Sequence, residues 1–123
     1  MKKSIIKDKS FQFAVKIVIL YKLLSQERKE FILSKQLLRS GTSIGANVRE
    51  AINAESKADF IHKLAIAQKE CDETMYWLEL LRETDYLNQE EFDEIYSESN
   101  EILKILKSII LTIKKKKLII TNS

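Results

Sequence analysis

Proline is absent from this chain of 123 residues, glycine occurs only twice, and cysteine and histidine once each. A chain so poor in breakers is either all-helical or disordered, and with 45% of its residues hydrophobic and set at helical spacing, disorder is excluded. A lone Cys71 rules out an intrachain disulfide and a cysteine metal cluster, and it suits a reducing cytoplasm. Long uncharged apolar runs are missing too. The run from Phe11 to Leu24 contains Lys16 and Lys22. The Met1-Lys2-Lys3 start is interrupted by Asp8 and Lys9, and no small-residue cleavage site follows. The composition therefore predicts one soluble, unprocessed, cytoplasmic all-α domain with no membrane contact.

Charge is present in both signs but is sorted along the chain. The net charge of +3 hides an excess of +7 over residues 1–50, −9 over residues 51–100 and +5 over residues 101–123. Sorting of this kind favours complementary packing, within one chain or between copies, and leaves basic surface for a polyanion.

The apolar period predicts four helices, over about residues 10–24, 27–54, 57–83 and 89–115, with a polar lead-in over residues 1–9 and a tail over 116–123. In the first helix Phe11, Ala14, Ile17, Val18, Tyr21 and Leu24 form the expected core stripe. Val15, Ile19 and Leu23 lie nearly opposite, so this helix needs cover on both sides, and a second copy of the chain is the favoured cover. In the second helix Leu37, Gly41, Ile44, Gly45, Val48, Ala51 and Ile52 share one side. Both glycines thus lie in its apolar stripe, where each costs about 1 kcal/mol against alanine, which points to a close approach by another backbone. The rival reading is a loop at Ser40-Gly41-Thr42-Ser43, which is also a turn-like cluster. Ser56 with Asp59, and Asn88 with Glu91, are capping-box patterns opening the third and fourth helices, and Leu87 with Phe92 is a hydrophobic staple. Phe60, Leu64, Ala67, Cys71, Thr74, Leu78 and Leu81 form a heptad seam. Ile95, Ser99, Ile102, Leu106, Ile109 and Ile113 form another. Lys114 to Lys117 suit the negative end of the fourth helix. Short links between such helices imply an antiparallel up-down-up-down four-helix bundle.

Catalytic chemistry finds little support. Asp59-x-x-His62 loosely matches a bundle metal-ligand pair, but a di-metal site needs two such pairs and two more carboxylates, and His62 points outward. Cys71 lies on an apolar seam flanked by Glu70 and Asp72, the opposite of an activated thiol. The acidic groups at residues 72–73 and 90–94 read as solvated faces. Phosphate-binding loops, dinucleotide fingerprints, nucleophile elbows and an arginine spaced for ribonuclease chemistry near His62 are all missing. No enzyme, cofactor or metal is expected. Lys35, Arg39 and Arg49 share an exposed face of the second helix, and Lys16 and Lys22 add charge on the first. These are candidate phosphate contacts, and the alternative is a solvated or ion-paired face.

The block SKQLLRSGTSIGANVREA resembles the hallmark of bacterial four-helix-bundle proteins encoded in intervening sequences of 23S ribosomal RNA genes. Leu33, Gln36, Arg39, Ser43, Ile44, Asn47, Val48 and Glu50 carry the likeness. The run from Glu55 to Phe60, with Glu70, Glu73, Thr74, Trp77 and Leu78, extends it. Ala51 and Gly45 depart from it, Ala51 standing where many members have glycine and Gly45 where many have proline or another small residue. The resemblance implies an antiparallel bundle that assembles as a homopentamer. It also implies kinship with accessory proteins of diversity-generating retroelements, which bind nucleic acid and a reverse transcriptase through basic surface. Partners implied are thus further copies of the chain, ribosomal or other nucleic acid, and a protein partner. Ser43, Asn47 and Glu50, with Gly41 and Gly45, are the motif positions; Asn47 is read as structural, bonding a backbone or a neighbouring helix, with direct nucleic-acid contact as the alternative.

Overall fold

The computed structural model describes residues 2–122, and the side chains of residues 5–116. Four helices follow one another: α1 (Lys2–Lys22), α2 (Leu33–Ile52), α3 (Lys57–Glu83) and α4 (Gln89–Asn122), with a single π-helical turn, Leu23–Glu27, closing α1. Each helix packs on its neighbours in sequence, and α1 packs on α4 to close the ring. Cross-contacts run in opposite chain directions at every seam. Gly41 and Gly45 meet Ile17 and Ser10. Arg39 and Glu50 meet Glu73 and Lys63. Cys71 and Arg82 meet Ser99 and Gln89, and Lys9 and Lys16 meet Glu101 and Glu98. The fold is therefore an antiparallel up-down-up-down bundle.

The α3 seam is buried at all seven expected positions, Phe60 through Leu81. α2 runs unbroken through Ser40-Gly41-Thr42-Ser43, so the cluster is helix and not loop. Neither glycine has a positive φ; space, not backbone freedom, is what they supply. A Cβ on Gly45 would lie 3.1 Å from the Ser10 carbonyl oxygen, and one on Gly41 would lie 2.8 Å from both γ-carbons of Ile17. The backbone of α1 thus rides against Gly45 and a β-branched side chain of α1 fills the space over Gly41.

Three expected boundaries move. α1 begins at Lys2 rather than near Ser10, because Ile6 belongs to the core and anchors the first turns. Its core line is Ile6, Ser10, Phe13, Ile17 and Leu24, all buried, while Phe11, expected inside, is 51% exposed. α2 begins at Leu33 rather than Glu27, because the π turn and Lys29, in the left-handed region at φ 59°, interrupt the helix. The buried Glu30 carboxylate then caps α2, accepting from the backbone N–H groups of Ile32, Leu33 and Ser34 at 3.3, 3.1 and 2.7 Å. α4 continues to Asn122, so residues 116–122 are helix rather than tail, and Lys114 lies two turns before the helix end rather than at it. Ser123 lies outside the described residues.

Ser56 caps α3, its Oγ accepting from the Asp59 N–H at 3.0 Å, and the full capping box forms at α4, where Asn88 and Glu91 cap each other reciprocally at 2.8 and 2.9 Å. Glu91 also takes a bidentate pair from Arg28, at 2.6 and 2.9 Å, while Arg28 donates to the Tyr86 carbonyl at 2.6 Å. This clamp ties the α1–α2 connection to the α3–α4 turn. Hydrogen bonding from Arg28 holds the Glu91 carboxyl below its ordinary value of 4.5. Glu91→Gln is expected to cost about 1 to 2 kcal/mol at neutral pH. The sign follows from the depressed native pKa: the carboxylate's contribution is full above about 4.5 and fades as pH falls below it. Urea titrations of both proteins should therefore show a constant gap near neutrality that narrows in acid. A gap that widens in acid would contradict the clamp.

Candidate functional site

No group of three or more metal-type ligands occurs among the described residues, and His62 is solvent-exposed. Cys71 is fully buried, its thiol donates to the Ser99 carbonyl at 3.1 Å, and burial pushes its pKa up to about 12. Its burial and hydrogen bond make Cys71 part of the packed core. The Ser40 and Thr74 hydroxyls share a 2.9 Å hydrogen bond across the α2–α3 seam. Every buried side-chain nitrogen or oxygen among the described residues is hydrogen-bonded.

The basic candidates do not form one open face. Arg39 leans toward α3, where it pairs with Glu70 at 3.2 Å and with Glu73 more closely still. Hydrogen bonding from Arg39 lowers the Glu73 pKa, and Glu73 also accepts from the Trp77 indole at 3.3 Å. Arg49 leans the other way, with its guanidinium 5.8 Å from the centre of the Phe11 ring of α1. Lys16 is held by Glu98 of α4. Lys22 and Lys35 are exposed and make no ion pair among the described residues. A phosphate approaching Arg39 or Lys16 therefore competes with carboxylates of the same chain, while Lys22, Lys35 and Arg49 are open to it. The motif polar residues act locally: the Asn47 amide donates to the Ser43 carbonyl at 2.9 Å, and Glu50 pairs with Lys63 of α3 at 3.2 Å.

The second surface is apolar. Phe11, Val15 and Ile19 follow one another at four-residue spacing on the outer side of α1 and are 51, 40 and 62% exposed. Leu23 is half-buried and joins Ile19 and Leu20 in a groove against Glu91, Glu94 and Ile95 of α4. Beyond the end of α1, Phe31 and Ile32 are 53 and 76% exposed. Scattered apolar exposure is ordinary, but these three form one row along the outer side of a single helix.

The apolar period places Val15 and Ile19 off the core line, and both are exposed; it gives no sign of the Arg28 clamp. Arg28 carries no periodic signal, and its partners are 58 and 63 residues away in sequence.

Comparison with known proteins agrees with this architecture. The family model described as 23S rRNA-intervening sequence protein matches residues 2–108. A crystal structure of a protein of unknown function from the S23 ribosomal protein family of Bacteroides thetaiotaomicron is 61% identical. It superposes with a TM-score of 0.89, over 89% of this chain and 98% of that one. No curated protein matches significantly.

Proposed function

The chain belongs to the 23S rRNA-intervening sequence protein family, and from that premise we propose that it is a non-enzymatic bundle that assembles with copies of itself and binds RNA or DNA through basic helix surface. The observation that carries this reading is the exposed ridge Phe11–Val15–Ile19. A bundle that has already closed its core within one chain has no internal use for that ridge, and burying it against another copy removes it from water at about 25 cal/mol per Å². Five copies is the stoichiometry the family likeness implies. Assembly multiplies weak phosphate contacts, so lysines such as Lys22 and Lys35 gain effect when several protomers present them together. The reading places the protein in the cytoplasm, in keeping with its one reduced thiol. No helix among the described residues is long and apolar enough to cross a membrane.

Fluorescence anisotropy with a labelled 23S rRNA fragment and with duplex DNA tests the nucleic-acid half. Binding at low salt is expected to weaken linearly on a log–log plot as salt rises. Absence of binding to both at low salt would contradict it. The alternative, a protein-interaction scaffold without nucleic-acid contact, draws support from Arg39 and Lys16 being satisfied by the chain's own acids.

A further inference from the structure

α4 outruns the bundle. It is 34 residues long against 27 for its neighbour α3. With Cys71 bonded to Ser99 and the two helices antiparallel, Lys57 at the start of α3 falls opposite about residue 113 of α4. Burial marks the same point independently. Ile109 and Ile110 are buried, Ile113 is half-buried, and Lys114, Lys115 and Lys116 are exposed. Lys116 sits seven residues past Ile109, on the line that faces the core lower down, and is nevertheless exposed. The core has ended by that turn, and the helix has not.

The C-terminal half of α4, of which only the turns past about residue 113 project, carries charge of one sign. Acidic residues stop at Glu101, and Lys104, Lys107, Lys114, Lys115 and Lys116 follow with no acidic residue among them. All five are exposed, and, like Lys22 and Lys35, none makes an ion pair among the described residues. Lys104, Lys107 and Lys114 recur at spacings of three and seven and so share the outer face. The lysines span about 18 Å of convex helix at 1.5 Å per residue. A convex row without a cavity suits an extended polyanion rather than a small anion. Among the described residues Leu111 is the one large apolar side chain exposed on the row, at 55% exposure. Lys114 to Lys116 also lie beyond residues 2–108, the stretch matched to the family.

We infer that the outer face of the C-terminal half of α4, centred on Lys104, Lys107 and Lys114, is the main phosphate-contacting surface for nucleic acid. This rests on the nucleic-acid reading above and moves its principal contacts from α2 to α4. The test compares wild type with the triple variant Lys104→Gln, Lys107→Gln, Lys114→Gln. Circular dichroism and particle mass check that the variant remains folded and assembled. The readout is the slope of log affinity against log salt, for labelled single-stranded RNA and for duplex DNA. Each phosphate contact contributes about 0.7 to 0.9 to that slope, so loss of three lowers it by about 2 to 3 per bound protomer. The matching triple arginine variant keeps the wild-type slope. An unchanged slope in the glutamine variant, with wild type binding normally, overturns this inference and leaves the broader reading standing. No nucleic-acid binding by wild type overturns both. Lysine-dependent binding to phosphatidylserine vesicles without RNA or DNA binding overturns it in favour of a lipid surface.

Discussion

Replacing Val15 and Ile19 together with glutamate is expected to turn an assembled particle into a folded single chain of 14.4 kDa. Both side chains are already in contact with solvent in the isolated bundle, at 40 and 62% exposure, so charging them leaves the core line Ile6–Phe13–Ile17–Leu24 intact. Surface changes away from buried features shift stability by about 0.5 kcal/mol or less. In a copy-to-copy contact the same carboxylates would be buried without partners, which costs several kcal/mol per site. Repeated symmetrically around a closed ring, that penalty exceeds what a modest interface supplies. Light scattering and thermal unfolding, run on the same sample, check the two halves. A variant that keeps the wild-type mass would remove α1 from the interface. A variant that unfolds would show that the ridge serves the bundle itself.

Gly41→Leu is the substitution expected to damage the fold most. Its Cβ alone would lie 2.8 Å from both γ-carbons of Ile17, which is fully buried. Those carbons branch directly from the Ile17 Cβ and cannot swing aside as the end of a long side chain would. Restoring a side chain gains about 1 kcal/mol of helix propensity. Overpacking of this kind costs about 1 to 3 kcal/mol for a few methylenes, and a leucine adds four carbons. The expected net loss is about 3 kcal/mol, a large part of the 5–15 kcal/mol typical of a domain. Urea unfolding would show it as a lower midpoint. Combining Gly41→Leu with Ile17→Ala removes the γ-carbons it strikes, so the pair should couple favourably by about 1 to 3 kcal/mol. Strict additivity would show that α1 does not meet α2 at this glycine.

The same glycines show why part of the fold could be read in the sequence and part could not. α3 was legible to the residue, because its apolar positions keep one period and Ser56 caps its start. α1 was not, because it is apolar almost all round and one of its core positions is a serine. Ser10 lies under Gly45, where the two backbones approach too closely for a larger side chain, so the true line from Ile6 to Phe13 is interrupted by a polar residue. Hydrophobic counting therefore preferred Phe11. The start of α2 was hidden for a different reason. Its cap is a glutamate, not a serine or aspartate, and its breaker is a lysine in the left-handed region rather than a glycine. The end of α4 was misjudged because lysines do not stop a helix, and nothing in Lys114 to Lys117 breaks it.

For the surfaces, charge sorting told more than individual residues did. The basic second helix and the acidic third do pair, through Arg39 with Glu70 and Glu73, but they do so inside one chain. Pairing uses up cations that looked free in sequence. Among those left over are Lys22, Lys35 and Arg49, and the lysines of α4 that follow its last acidic residue, Glu101.

Multi-angle light scattering of the wild-type protein at micromolar concentration decides whether another copy of the chain covers the outer ridge of α1. A folded particle whose mass is a multiple of 14.4 kDa is the predicted result; a folded particle of 14.4 kDa would contradict it.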